Sequence, residues 1–288
     1  MAVTFGAKSV DIVEQGGGTT LNLTTLTVGS EADRVLLVQI AWSTTDPGTV
    51  TVTWDYGGAN QVCELIKYEP NGSGRKASLY GLVNPVAGNK TLRVAVTNTP
   101  GWLLGACYFY NADQTGGTTT FRNANSATGS STAPSVVITS ATGEATCSVM
   151  GAPTGTGTTN QTLLWFTSGG GAQDGGADYA AGAASVTHTW TTEYISGWAI
   201  VGCSIKAVGG ASQFARPSSD VAVGGWNNQV PNQTDVFESI NETAALLSDT
   251  DYVQSGAAPV DDTLIVGLTA INPPGAGTVT IRIRAKFL

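Results

Sequence analysis

Hydrophobic and polar positions alternate with period two along most of this chain, and short runs of turn residues interrupt the alternation. Residues 33–42 (DRVLLVQIAW) and 101–110 (GWLLGACYFY) are apolar at successive positions, which predicts central strands buried on both faces. Residues 50–54 (VTVTW) alternate strictly and run into Gly57-Gly58, a turn signal. Further strands are predicted at 61–68, 77–83, 90–97, 135–139, 145–150, 162–166, 185–191 and 197–207. No stretch shows a helical period of apolar residues, apart from a short-helix candidate at 239–247 (SINETAALL). The Gly-rich insert 151–182 has little to bury and reads as a long loop or mobile hairpin. The echo between VTVTW at 50–54 and VTHTW at 186–190 is too brief to indicate duplication.

So many strands in one open sheet would leave long exposed edges, and packing them as two sheets removes that problem. The predicted class is therefore all-β: a large two-sheet β-sandwich, jelly-roll-like, followed by a small β module. Composition breaks at 208–220 (VGGASQFARPSSD), where Pro217 punctuates the chain. This divides it into a sandwich over 1–208, a linker over 209–219 and a small β-rich module over 220–288. The module shows two clear strands, 263–269 and 278–288.

Composition supports strands over helices: 37 glycines and only 12% charged residues disfavour long helices. The net charge of -8 carries no compensating Lys/Arg cluster, so such a surface repels phosphate backbones and anionic lipid. No nucleic-acid or membrane partner is expected. Met1 leads directly into a strand-like segment, with no basic and apolar leader, so synthesis in the cytoplasm without a signal peptide is expected.

The residues that carry chemistry are sparse. His188 is the only histidine, set in an alternating strand, and reads as a structural or surface residue. Cys63, Cys107, Cys147 and Cys203 each fall inside a predicted strand without CxxC spacing, as expected of buried free thiols. Acidic residues such as Asp46, Glu69, Asp113, Asp174 and Asp178 are expected in loops, with no strand carrying two on one face. That arrangement offers no carboxylate pair for hydrolysis. Gln173–Asp178 (QDGGAD), Asp249 with Asp251, and Asp261 with Asp262 bring carboxylates together as calcium ligands would be, but none has the spacing of a calcium loop. No catalytic residue, metal or cofactor is therefore predicted.

The tryptophans and most tyrosines lie on apolar strand faces and are expected in the core. Tyr56 and Tyr179, flanked by glycines, are expected on exposed loops where a ligand could reach them. In the last strand Val279, Ile281 and Ile283 share one face, and Phe287 and Leu288 form an apolar end. These five residues are the expected interface with another subunit.

Three strings, TVTWDYGG (51–58), LYGLVNPVAGNKTLRVAV (79–96) and SGWAIVGCSIK (196–206), resemble a β-sandwich family of phage and bacterial proteins. In that family a turn of YLVNPPAG type joins two strands, and the domain closes on a W-A-x-x-G-x-S-x-K strand. RPSSDVAVGGW (216–226), DTDYVQS (249–255) and TVTIRIRAK (278–286) resemble a module recurrent in tailed-phage virion proteins, which usually runs on through several more strands. The resemblance implies a non-enzymatic structural protein of a phage virion: a capsid decoration, head fibre or tail-associated subunit. Its expected partners are other copies of itself, as a trimer or another symmetric oligomer, and other virion proteins. The alternative is a carbohydrate-binding sandwich that recognises host surface glycans.

Overall fold

A computed structural model describes residues 1–9, 18–70, 74–152, 155–169 and 173–209, together with short strands at 13–15, 217–222, 227–228, 253–254 and 265–268. The chain divides into two units, Met1–Gly209 and Gly210–Leu288.

Two successive sets of strands build the first unit. The first set is β1 (Thr4–Lys8), β2 (Val13–Gln15), β3 (Thr20–Leu23), β4 (Thr27–Val28), β5 (Val35–Trp42), β6 (Val50–Trp54), β7 (Gln61–Val62), β8 (Glu64–Pro70), β9 (Lys76–Val83), β10 (Gly88–Asn89), β11 (Leu92–Val96) and β12 (Trp102–Tyr110). A single helical turn, α1 (Gly117–Thr120), leads into the second set. That set is β13 (Phe121–Ser131), β14 (Ser135–Ile138), β15 (Ala145–Ala152), β16 (Gly157–Thr159), β17 (Thr162–Gly169), β18 (Gln173–Ala181), β19 (Val186–Thr192) and β20 (Ser196–Ile205).

Each set forms an inner and an outer antiparallel sheet. The first inner sheet runs β1-β12-β5-β9-β8, with β2 also on β12, and the first outer sheet runs β3-β11-β6-β7. The second inner sheet runs β13-β20-β15-β18-β17 and the second outer sheet β14-β19-β16. If β7–β8 is taken as one strand that changes sheets at Cys63, and the short β2, β4 and β10 are set aside, each set has eight strands. Both inner sheets then follow the order first–eighth–third–sixth–fifth, and both outer sheets second–seventh–fourth. This is a jelly roll made twice. Register agrees: Cys107 on the eighth strand of the first set opposes Leu37 on the third, and Cys203 opposes Cys147 in the second set.

The all-β sandwich class holds, but the sandwich is doubled and four sheets deep. The two inner sheets pack face to face, which explains strands that are apolar on both sides. On β5, Val35, Leu37 and Ala41 point to the core shared by the two jelly rolls, while Leu36, Val38, Ile40 and Trp42 point to the first outer sheet. On β15 and β20, Ala145, Cys147, Val149, Ala199, Val201, Cys203 and Ile205 enter the same shared core. The interior of the second jelly roll has a much smaller apolar cluster, which includes Met150, Trp190, Trp198 and Ile200.

Two expectations are corrected here. Much of the insert 151–182 is strand, not loop: it supplies β16, β17 and β18. Its glycines answer to packing rather than flexibility. A Cβ on Gly175 would lie 2.7 Å from the Ala41 Cβ, and one on Gly176 would lie 2.4 Å from the Trp190 ring. The chain also repeats itself, in strand order though not in sequence, and the VTVTW/VTHTW echo does not mark that repeat. Those strings fall on β6 and β19, the fourth strand of one set and the seventh of the other.

In the second unit β21 (Pro217–Ala222) pairs antiparallel with β24 (Ile265–Leu268), and β22 (Asn227–Asn228) with β23 (Val253–Gln254). Strand β21 thus takes in residues 217–219 of the segment expected to be linker. The helix expected at 239–247 and the strand expected at 278–288 lie outside the described residues.

Candidate functional site

Inside the second jelly roll, between its inner and outer sheets, the described residues bring together one histidine, one aspartate and three hydroxyls. Alternation on β19 turns Val186, His188, Trp190 and Thr192 inward and leaves Thr187, Thr191 outside. Alternation on β18 likewise turns Asp174 and Asp178 to one face, contrary to the expectation of solvated loop carboxylates. Thr146 and Ser148 come from β15, and Thr159 from β16.

His188 Nδ1 lies 2.7 Å from Asp178 Oδ1, and His188 Nε2 lies 2.9 Å from Thr146 Oγ1. The Ser148 hydroxyl donates to Asp178 Oδ1 and the Thr159 hydroxyl to Asp178 Oδ2. The Gln161 N–H donates to Thr159 Oγ1 at 3.1 Å, which leaves the Thr159 proton free for the carboxylate. Both oxygens of Asp178 and both ring nitrogens of His188 thus have a hydrogen-bond partner. A second polar cluster forms where β20, β13 and the turn before β15 meet. Glu144 Oε2 accepts from Ser204 Oγ at 2.6 Å, Ser140 Oγ at 3.0 Å and the Ala141 N–H at 3.1 Å, and Glu144 Oε1 pairs with Arg122.

Hydroxyl, imidazole and carboxylate stand here in the order used by acyl-transfer enzymes. Access to this network is closed. Thr146, Ser148, Asp178 and His188 are each 0% exposed. A reacting atom would have to come within about 3 Å of Thr146 Oγ1, and Thr146, His188 and Asp178 are closed off from solvent, Thr159 alone being half-buried. The network instead ties the inner sheet to the outer one. His188 lies in a strand, as expected, and is buried rather than at the surface. Its partners were missed because Asp178 was assigned to a loop. QDGGAD is strand β18 rather than a cation loop, and among the described residues no group of three or more His, Cys, Asp or Glu could hold a metal ion. Asp249, Asp251, Asp261 and Asp262 lie outside the described residues.

The expected ligand-facing tyrosines part company. Tyr56 sits in the turn after β6, 45% exposed, with the Arg93 guanidinium 4.2 Å from its ring centre. Tyr179 is not on an exposed loop. It lies in β18, half-buried, stacked on Phe5 at 4.6 Å and edge-on to Phe109 at 5.7 Å. Alternation puts it on the face opposite Asp178, toward the shared core. The expected interface residues Val279, Ile281, Ile283, Phe287 and Leu288 lie outside the described residues.

All four cysteines are buried and free. Cys107, Cys147 and Cys203 all lie in the shared core, where Gln39 Nε2 donates to Cys107 Sγ at 3.0 Å and approaches Cys147 Sγ at 3.7 Å. Trp165 Nε1 caps the Gln39 oxygen at 3.5 Å. Burial pushes the Cys63 thiol up to about 12 and Cys203 well above its ordinary value. The neighbouring Cys107, together with burial, raises Cys147 as well. These thiols stay protonated and poor as nucleophiles.

No protein-family model matches the chain, and no curated protein matches it.

Proposed function

We propose that this chain is a non-enzymatic structural protein that works through protein–protein contacts, as a subunit of a phage virion. The observation that carries the non-enzymatic reading is the sealed Thr146–His188–Asp178 network. It is the one described arrangement with the order of a catalytic relay, and it stands at zero exposure as a strut between two sheets. The fold also favours a scaffold. Two jelly rolls joined through an apolar core that contains Phe109, Phe121 and Trp165 resist relative motion.

The virion assignment rests on the resemblance of strings 51–58, 79–96 and 196–206 to phage and bacterial sandwich proteins. Those strings cover β6, β9–β11 and β20, all structural strands and turns. On this reading the protein is made in the host cytoplasm and ends up in the particle, as a capsid decoration, head fibre or tail-associated subunit. It sits beside other copies of itself and other virion proteins.

The test is to purify particles from cells that make the protein, quantify the chain by mass spectrometry and locate it with labelled antibody under the electron microscope. A fixed copy number per particle at a symmetric location is expected. A chain that stays wholly in the soluble fraction, absent from purified particles, would overturn the assignment.

A further inference from the structure

A chain that contains the same jelly roll twice has a folding problem that a single jelly roll lacks. Every strand of one copy has a counterpart of the same order and direction in the other. The third strands, β5 and β15, are each 8 residues long, and the sixth strands, β9 and β18, are 8 and 9. Main-chain hydrogen bonds cannot distinguish such strands. The faces that meet in the shared core distinguish them mainly at Gln39 of β5: the other residues there, Val35, Leu37 and Ala41 on β5 and Ala145, Cys147 and Val149 on β15, are all apolar.

The inner faces of the two sandwiches do differ. In the first copy β5 turns Leu36, Val38, Ile40 and Trp42 inward, and β11 turns Leu92, Val94 and Val96 inward against them. At the corresponding strands of the second copy, β15 turns Thr146 and Ser148 inward and β19 turns His188 inward. Asp178 comes from β18 and Thr159 from β16 to complete the set. The first copy shows that this topology closes over an apolar interior, so the fold itself does not require the polar network.

We propose that the Asp178–His188 network is a specificity device that keeps strands of the two copies from exchanging, within one chain or between two. If β5 entered the place of β15, Asp178 would lose the Ser148 donor and His188 would lose Thr146, leaving a buried carboxylate and imidazole facing leucine and valine. If β15 entered the place of β5, two hydroxyls would be buried among Leu92, Val94 and Trp54 with no partner. Both exchanges are penalised by the cost of unpaired buried polar groups, whereas an apolar second interior would let them compete with the native pairing.

The test is refolding of the full chain. A variant with the network made apolar (Thr146→Val, Ser148→Ala, Thr159→Val, Asp178→Leu, His188→Leu) is unfolded in urea and refolded by dilution beside the wild type. Native yield and the share of dimers and larger species are read by size exclusion with light scattering, and equilibrium stability by urea titration. The expected result is a variant at least as stable as the wild type, with a several-fold lower yield of native protein and a matching rise in exchanged oligomers. Wild-type yield and size distribution from the apolar variant would overturn the proposal. If the apolar variant does not fold, the single variants Thr146→Val and Thr159→Val decide. Refolding yields below wild type with unchanged native size support the device, and wild-type yields from both refute it.

Discussion

Cys203 on β20 lies directly opposite Cys147 on β15, and both sulfurs are free thiols in the core between the two jelly rolls. Each is 0% exposed, and both are held protonated by their surroundings. In native protein at pH 8 an alkylating reagent should therefore react with these two sulfurs at least ~100-fold more slowly than with the unfolded chain, because attack requires both opening and ionisation. Mass-spectrometric counting of labelled cysteines against time checks this. Rapid labelling of Cys147 or Cys203 would contradict the packing.

The same thiols predict an alkaline limit to stability. Folding raises the values of Cys63, Cys147 and Cys203, so the folded state binds their protons more tightly than the unfolded state does. Their contribution is fully present below the unfolded thiol value of about 8.5 and is lost as pH rises from there through the folded values. Urea midpoints should fall from pH 8.5 upward, and replacing Cys203 with Ala should make that fall shallower.

An acid limit sits at the junction between the copies. Burial acts to raise Asp113, but the Thr115 N–H, the Lys206 ammonium and the Thr120 hydroxyl outweigh it and hold the carboxyl below its usual range. A carboxylate depressed on folding stabilises the protein above its unfolded value of about 4 and loses that contribution as pH falls toward the folded value. Asp113→Asn should flatten the decline of stability between about pH 4 and pH 2. Lys206 pairs with Asp113 at 3.0 Å, so Lys206→Met should reproduce part of the effect.

Removing one partner of the buried network should be costly even though the whole network is replaceable. Asp178→Ala leaves His188, Ser148 and Thr159 without their acceptor and should destabilise the first unit by about 3–5 kcal/mol. Thr146→Val removes a single neutral hydroxyl and should cost only about 1–2 kcal/mol. Urea titration of both variants measures the contrast, and equal effects would show that Asp178 is not its hub.

Gly176 should tolerate no side chain. A Cβ there would lie 2.4 Å from the Trp190 ring and 3.0 Å from the Trp165 carbonyl oxygen. Gly176→Ala should lower stability by about 1–3 kcal/mol through displacement of Trp190, visible as a change in tryptophan fluorescence. An unchanged spectrum and urea midpoint would place the indole elsewhere.

Much of the fold was legible because burial on two faces writes a continuous apolar run. Residues 33–42 and 101–110 predicted β5 and β12 for that reason. β18 was hidden by the opposite circumstance. Its QDGGADYAA string carries two aspartates and two glycines, and only the neighbours explain them: Ala41 and Trp190 fill the space a Cβ would need, and hydroxyls on β15 and β16 satisfy Asp178. β13 (FRNANSATGSS) was hidden too, because its burial alternates between half-buried and exposed and few apolar residues mark its face. The repeat was invisible for a related reason. It resides in strand order, while the inner faces of the two copies differ, apolar in the first and carrying the Asp178–His188 network in the second. The candidate network could be found from sequence only by placing Asp178 on a strand facing His188, and that requires the topology.

The central claim is that this chain acts by assembling with other copies and with a particle. Light scattering coupled to size exclusion, run on the full chain and on residues 1–209 over a wide concentration range, tests it most directly. The account predicts that the full chain forms a closed oligomer whose mass is a whole multiple of 29.4 kDa, and that the oligomer is lost without the segment that carries Val279, Ile281 and Ile283. A full chain that remains a 29.4 kDa monomer at every concentration would contradict it.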